Sequence, residues 1–160
     1  MFTITLITVG KLKEKFYLSA AEEYEKRLKA YCKLQCISIP ETRVPDNPSP
    51  AEIASGLKTE AAQILTKIPK GAWLCVLTPE GKLMSSEALA DTITNIQLSG
   101  KSNACFIIGS SFGIDSQIKA IADLKLSMSP MTFPHHLARI MVLEQLYRAQ
   151  SIQAGAKYHK

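Results

Sequence analysis

The 160-residue chain predicts an α/β fold, a parallel sheet of about five strands with helices on both faces. Three observations carry that expectation. Five short segments are apolar almost throughout, which suits strands buried on both faces rather than on one. Segments of helical character separate them, and such alternation calls for parallel strands joined by crossover helices. At 17.6 kDa with 46% apolar residues, the chain also has enough material for one ordinary core without disulfide or metal staples.

In chain order, Phe2 to Val9 reads as the first strand, Phe16 to Tyr31 as a helix and Leu34 to Ile39 as a strand. A loop punctuated by prolines 40, 45, 48 and 50 leads to a helix from about Ala51 to Lys67. Strand Ala72 to Leu77, a turn at Thr78 to Gly81, and a helix from Ser86 to Gln97 capped by Ser85 or Ser86 come next. Strand Ala104 to Ile108, a turn flanked by glycines, a short helix from Asp115 to Ala122 and strand Leu124 to Met128 follow. The last helix is capped by Thr132, has Pro134 in its first turn and stops at Gly155. Neither a repeat nor a linker interrupts the run, so residues 1–160 are expected to form a single domain.

That last helix is apolar on nearly every side. Leu137, Ile140, Met141 and Ile152 share one stripe with Glu144 and Arg148, while Val142 and Leu146 point the other way. A chain this short covers the second face most simply with another copy of itself, so a two-fold homodimer is expected. Glu144 and Arg148 are spaced for an i,i+4 ion pair, although an arginine on an apolar stripe also suits an anion or a partner.

Composition limits the function classes. The net charge of +5, with Lys11, Lys13 and Lys15 clustered after the first strand and Lys157, His159 and Lys160 closing the chain, favours a polyanionic partner. Cys75 and Cys105 lie inside strand-like runs, Cys32 and Cys36 have no second pair, and all three histidines lie beyond position 134, so no metal site is expected. The opening MFTITLITVG lacks a basic leader and a cleavage site, and no apolar run approaches the ~18 residues of a membrane span, so a cytoplasmic protein is expected. Neither a Walker A loop nor GxGxxG is present.

Ligands of open parallel sheets sit beyond the carboxyl ends of the strands. The loops Leu77 to Lys82, Gly109 to Gly113 and Ser127 to Phe133 leave such ends, and they form one pocket if their strands are neighbours. Gly109-Ser110-Ser111-Phe112-Gly113 also fits the G-x-S-x-G nucleophile elbow, with Asp123 and His135 following in hydrolase order, which makes a Ser111 hydrolase one alternative function. A non-catalytic RNA-binding module is another. The adjacent His135 and His136 point about 100° apart, so one can face a pocket while the other packs.

The segments FIIG, LSMSPMTFPHHLARIMVLEQLYRAQSI and the closing YHK, supported by TVGKLKEKFY and EGKLMSSEALA, resemble the RlmH family of the SPOUT methyltransferase superfamily across essentially the whole chain. The resemblance implies a C-terminal trefoil knot and a homodimer. It implies S-adenosylmethionine-dependent methylation of N3 of a pseudouridine in large-subunit ribosomal RNA, within the free large subunit or the assembled ribosome. It places the cofactor against Leu77, Gly109, Met128, Ser129, Pro130, Met131, Thr132 and Phe133. The substrate side would use His135 against the base or its phosphate and Arg148 to orient the nucleotide or balance negative charge, with Tyr158 and His159 from the tail closing the site across the dimer. Arg139 and Lys160 would hold RNA backbone. Two positions depart from the family pattern: Ser110 stands where a second glycine is usual, and Thr78-Pro79 where an acidic residue is common.

Overall fold

The computed structural model describes residues 1–160. Its elements alternate as β1 Thr3–Val9, α1 Lys15–Leu28, β2 Lys33–Ile39, α2 Pro50–Lys67, β3 Trp73–Leu83, α3 Ser86–Leu98, β4 Asn103–Ile108, α4 Ser116–Ile121, β5 Leu124–Ser127 and α5 His135–Gln153. All pairings are parallel, in the order β2-β1-β4-β3-β5.

Strand alternation divides the core into two layers. Ile4, Leu6, Cys75, Phe106 and Ile108 point to one face, where Leu28 of α1, Ile93 of α3, and Leu143 and Leu146 of α5 cover them. Ile7, Val9, Leu74, Val76 and Ile107 point to the other, covered by Ile64 of α2 and Ile118 of α4. The five apolar runs are thus buried on both sides, as their composition requires. Edge strand β2 is the exception, with Lys33, Gln35 and Cys36 exposed.

Local signals act where the sequence shows them. Ser49 and Glu52 form a reciprocal capping box at α2, with Pro50 in its first position. The α3 cap is Ser85, whose hydroxyl accepts from the Ala88 amide. Gly155 ends α5 with φ +66°. Thr132 does not cap α5: the cap position falls on Pro134, and no side chain bonds the helix start. The loop is too tightly folded for Thr132 to reach, because Ser129 turns back to accept from the Met131 amide.

The segment expected as a turn at Thr78 to Gly81 belongs instead to a long β3. Its pairing with β5 shifts register between Leu77 and Lys82, so the chain bulges and rejoins the same partner at Lys82–Leu126 and Leu83–Ser127. This brings Gly81 against the β5 backbone. A Cβ at Gly81 would lie 2.7 Å from backbone atoms of Lys125 and Leu126, so only glycine allows the crossing.

Candidate active site

Because β4, β3 and β5 are adjacent, their carboxyl-end loops converge. Together with the start of α5 they enclose a cavity of about 590 Å³, within the usual range for small-molecule sites. Leu77, Gly109, Met128, Ser129, Met131, Thr132 and Phe133 all line it. Pro130, also expected there, lies exposed on the outer side of the same loop. Ile108, Leu126 and Ala138 complete an apolar wall that motif reading overlooked, though the first two are simply the ends of apolar strands. His135 stands at the rim.

The loop over 128–133 is shaped for recognition by backbone. The Ser127 hydroxyl donates to the Ser129 carbonyl (3.0 Å), and the Ser129 hydroxyl accepts from the Met131 amide (3.0 Å). The amides of Met128, Thr132 and Phe133 have no partner within the chain. These three residues line the cavity, so their unbonded amides are available to the acceptors of a bound ligand. The hydroxyl of Thr78, between the lining residues Leu77 and Pro79, is buried and lies within reach of the Glu80 carboxylate.

Opposite this loop, Gly109 lies so close to Gly113 and Ile114 that any side chain would strike the Gly113 carbonyl. The turn is pinned by the Gly113 amide on the Ser110 carbonyl (2.9 Å) and by Gly113 at φ +94°. Ser110 is buried and small enough to keep the turn. At the outer end of the bulge, Glu80 pairs with Lys119 at 2.6 Å, and that contact holds its carboxyl down at about 2.

His135 and His136 divide as their 100° separation requires. The Nε2 atom of His135 is buried without a partner, near Gly10 and Glu41, whereas His136 packs edge-on to Tyr17 and lies 3.9 Å from Glu14. Burial, reinforced by the neighbouring His136, lowers the His135 pKa, so the ring is neutral at pH 7 and able to accept a proton or hydrogen bond. Glu41 opposes the shift but does not reverse it. Arg139 donates from Nη1 to the Thr8 hydroxyl at 3.3 Å, and its Nε is buried and unpaired.

Arg148, Tyr158 and His159 assemble elsewhere. Arg148 donates to Glu144 Oε1 from Nε (3.0 Å) and Nη2 (2.8 Å), and its guanidinium lies 4.7 Å from the Tyr158 ring centroid. The Tyr158 hydroxyl donates to the same carboxylate oxygen (3.1 Å). His159 receives Arg148 Nη1 on Nδ1 (3.2 Å) and therefore donates from Nε2 to Glu87 (2.7 Å). The i,i+4 pair is real, and it is also the hub that holds the tail. Glu87, which sequence reasoning passed over, is an ordinary exposed glutamate in a helix's first turn; nothing local marks it. The cluster lies about 20 Å along α5 from His135 at 1.5 Å per residue, so one chain does not unite the expected substrate residues.

The alternative nucleophile fails on geometry. Ser111 follows the carboxyl end of β4, but Asp123 precedes the amino end of β5, where its carboxylate accepts from the Leu74 amide at 2.7 Å. A strand length of about 13 Å separates those two ends of the sheet. No triad forms. Nor do three His, Cys, Asp or Glu side chains gather closely enough to hold a metal ion.

The sequence and the fold that carries this cavity both have counterparts among known proteins. The family model described as Predicted SPOUT methyltransferase matches residues 2–159. The chain belongs to the SPOUT methyltransferase family. It is 48% identical over 157 residues to a protein of Clostridium kluyveri named Ribosomal RNA large subunit methyltransferase H, covering 98% of this chain and 99% of that one. A protein of the same name from Acetivibrio thermocellus is 45% identical over the same shares. Among solved structures, a tRNA methyltransferase from Aquifex aeolicus superimposes with a TM-score of 0.52 at 16% identity, over 91% of this chain and 69% of that one. That likeness concerns the fold. No helix of this SPOUT chain is long and apolar enough to cross a membrane.

Proposed function

We propose that this protein transfers a methyl group from S-adenosylmethionine to large-subunit ribosomal RNA in the cytoplasm, at N3 of a pseudouridine. The observation that carries the reading is the cavity at the carboxyl ends of β3, β4 and β5, with its apolar wall and its unbonded loop amides. The ring edge of a purine needs donors and acceptors at fixed positions, and the free backbone of residues 128–133 supplies them. Leu77, Ile108 and Leu126 offer the faces against which a base packs. The full-length relatives named as large-subunit ribosomal RNA methyltransferases supply the substrate class.

When bound, S-adenosylmethionine supplies an electrophilic methyl group on a sulfonium. Transfer to a ring nitrogen needs in-line placement and relief of the proton on that nitrogen, so positioning and electrostatics dominate. His135, neutral and lining the cavity, is the group placed to accept a hydrogen bond from the base or its proton, once its Nε2 is uncovered from beside Gly10 and Glu41. Arg148 balances the negative charge of the nucleotide, and Tyr158 with His159 closes the site.

For these groups to meet His135, a second copy must bring its α5 cluster to the first copy's cavity. The outward stripe of α5 supports this arrangement: Leu137, Ile140, Met141 and Ile152 remain partly exposed, while Val142 and Leu146 are buried in the chain's own core. The working unit is therefore a homodimer of single-domain chains, with Arg139 and Lys160 on RNA backbone.

Titration calorimetry with S-adenosylmethionine and its demethylated product tests the cavity; absence of heat for both defeats the reading. His135→Ala and Arg148→Ala should each slow methyl transfer to large subunits more than about tenfold while the dimer stays folded. Unchanged turnover removes that residue from the chemistry.

A further inference from the structure

A run of rings that the transfer reaction itself does not require leads away from the cavity-lining His135. His135 at the rim lies 4.1 Å, centroid to centroid, from His136. His136 meets Tyr17 edge-on at 6.0 Å, and Tyr17 lies 4.3 Å from Phe16. Phe16 is 66% exposed at the start of α1, so its ring presents a free face to solvent. The run therefore passes without a break from solvent to the place where methyl transfer is proposed.

Charge follows the same path. Lys11, Lys13 and Lys15 are all exposed on the segment that joins β1 to this end of α1. At the inner end, Arg139 keeps a buried Nε without a partner. Gly10, with φ +88°, lets the chain turn closely past both histidines and Glu41. Glu14, near His136, and Glu41 set negative charge against these cations, and Glu25 lies on the Arg139 side of α1. Rings interleaved with cations are the physical means by which proteins hold unpaired nucleotides: bases stack on the rings and phosphates follow the positive groups.

Building on the methyltransferase reading, we propose that Phe16, Tyr17 and His136 form a stacking track for unpaired RNA nucleotides flanking the methylated one, with Lys11, Lys13 and Lys15 along its phosphates. The track selects single strands, because bases already stacked in a duplex present no free faces to Phe16. It also gives an order to the site. The nucleotide reaching His135 is unstacked from its neighbours, and the rings repay that unstacking.

The test is the affinity of the dimer for a short unstructured oligoribonucleotide containing pseudouridine, measured by fluorescence anisotropy, with a duplex of equal length as comparison. Phe16→Ala and Tyr17→Ala should each weaken single-strand binding roughly tenfold, the scale expected for one lost stacked base, and change duplex binding far less. Phe16→Trp should restore it. Affinity for S-adenosylmethionine should stay the same in all three variants. Unchanged single-strand affinity in Phe16→Ala overturns the track, as does an equal loss for strand and duplex. If light scattering instead finds Phe16→Ala monomeric, and RNA affinity returns when the dimer is restored by concentration, Phe16 belongs to the contact between copies and the track is wrong. The binding assay needs no turnover, so a protein that takes up RNA through Phe16 but binds no S-adenosylmethionine would sink the methyltransferase reading and leave the track standing.

Discussion

Replacing Glu144 with glutamine should release the C-terminal tail. The carboxylate accepts four hydrogen bonds: two from Arg148, one from Tyr158 and one from Gln145 Nε2 at 2.8 Å. Glutamine keeps the shape but loses the charge, and its amide would confront Gln145 Nε2, donor against donor. Gln145 could relieve this by turning over, which would reverse the bond that the Ser86 hydroxyl now donates to its Oε1 at 2.6 Å, but the Arg148 and Tyr158 bonds would still lose their charged acceptor. A hydrogen bond to a charged group contributes about 1.5–3 kcal/mol against about 1 for a neutral one. The Arg148 and Glu144 side chains are only 25% and 17% exposed, so solvent screening reduces the difference without abolishing it. A net loss of about 1.4 kcal/mol in tail anchoring, tenfold in the equilibrium, is a reasonable expectation. Trypsin cleavage after the exposed Lys157, followed by mass spectrometry under conditions where the tail recloses faster than it is cut, reads that equilibrium directly. Cleavage about tenfold faster in Glu144→Gln is expected, together with slower methyl transfer at saturating S-adenosylmethionine. An unchanged cleavage rate would refute the claim that Glu144 anchors the tail.

Gly109→Ala should cost more than about tenfold in S-adenosylmethionine affinity by calorimetry, because its methyl group displaces the Gly113 carbonyl and with it one wall of the cavity. Ser111→Ala should leave methyl transfer within about twofold, whereas Asp123→Ala should lower stability to urea by about 1–3 kcal/mol through the orphaned Leu74 amide, with turnover unaffected in the folded fraction. The lowered pKa of His135 means the unfolded chain takes up its proton first as pH falls, so this residue's contribution is intact above the unfolded value near 6.5 and declines below it. Urea midpoints measured from pH 7.5 to about 5 should therefore fall less steeply in His135→Gln than in the parent protein.

What the sequence disclosed and what it hid follow from the range of each interaction. Strand composition and cap residues are local, so the alternation of elements, the Ser85 cap and the Gly155 stop were legible along the chain, whereas the equally local Ser49–Glu52 capping box was passed over. The three loops were legible too, because ligands of open parallel sheets sit beyond the carboxyl ends of the strands, but their union in one cavity depends on the adjacency of β4, β3 and β5, which is a long-range property. The bulge at Thr78 to Gly81 was not. It looks like a turn in sequence and becomes strand only because β5 pairs on both sides of it. Thr132 failed as a cap for a related reason, since the fold of a loop decides which hydroxyl reaches a helix start. Within the substrate set, residue types were readable from the resemblance, but their separation along α5 emerges only with helix geometry. Glu87 had no signal at all, because its partner His159 is distant in sequence and reaches it only after the tail turns back.

The strand order has a consequence for how the protein matures. Leu126 to Phe133, one side of the cavity, comprises the end of β5 and the loop that follows it; β5 joins the sheet last in sequence, at the edge beyond β3 and hard against Gly81. A nascent chain can acquire most of its helix and sheet before that edge docks, yet it has no donor pocket until then. In a refolding experiment the onset of S-adenosylmethionine uptake should lag behind the recovery of circular dichroism, and the lag would time the seating of this final strand.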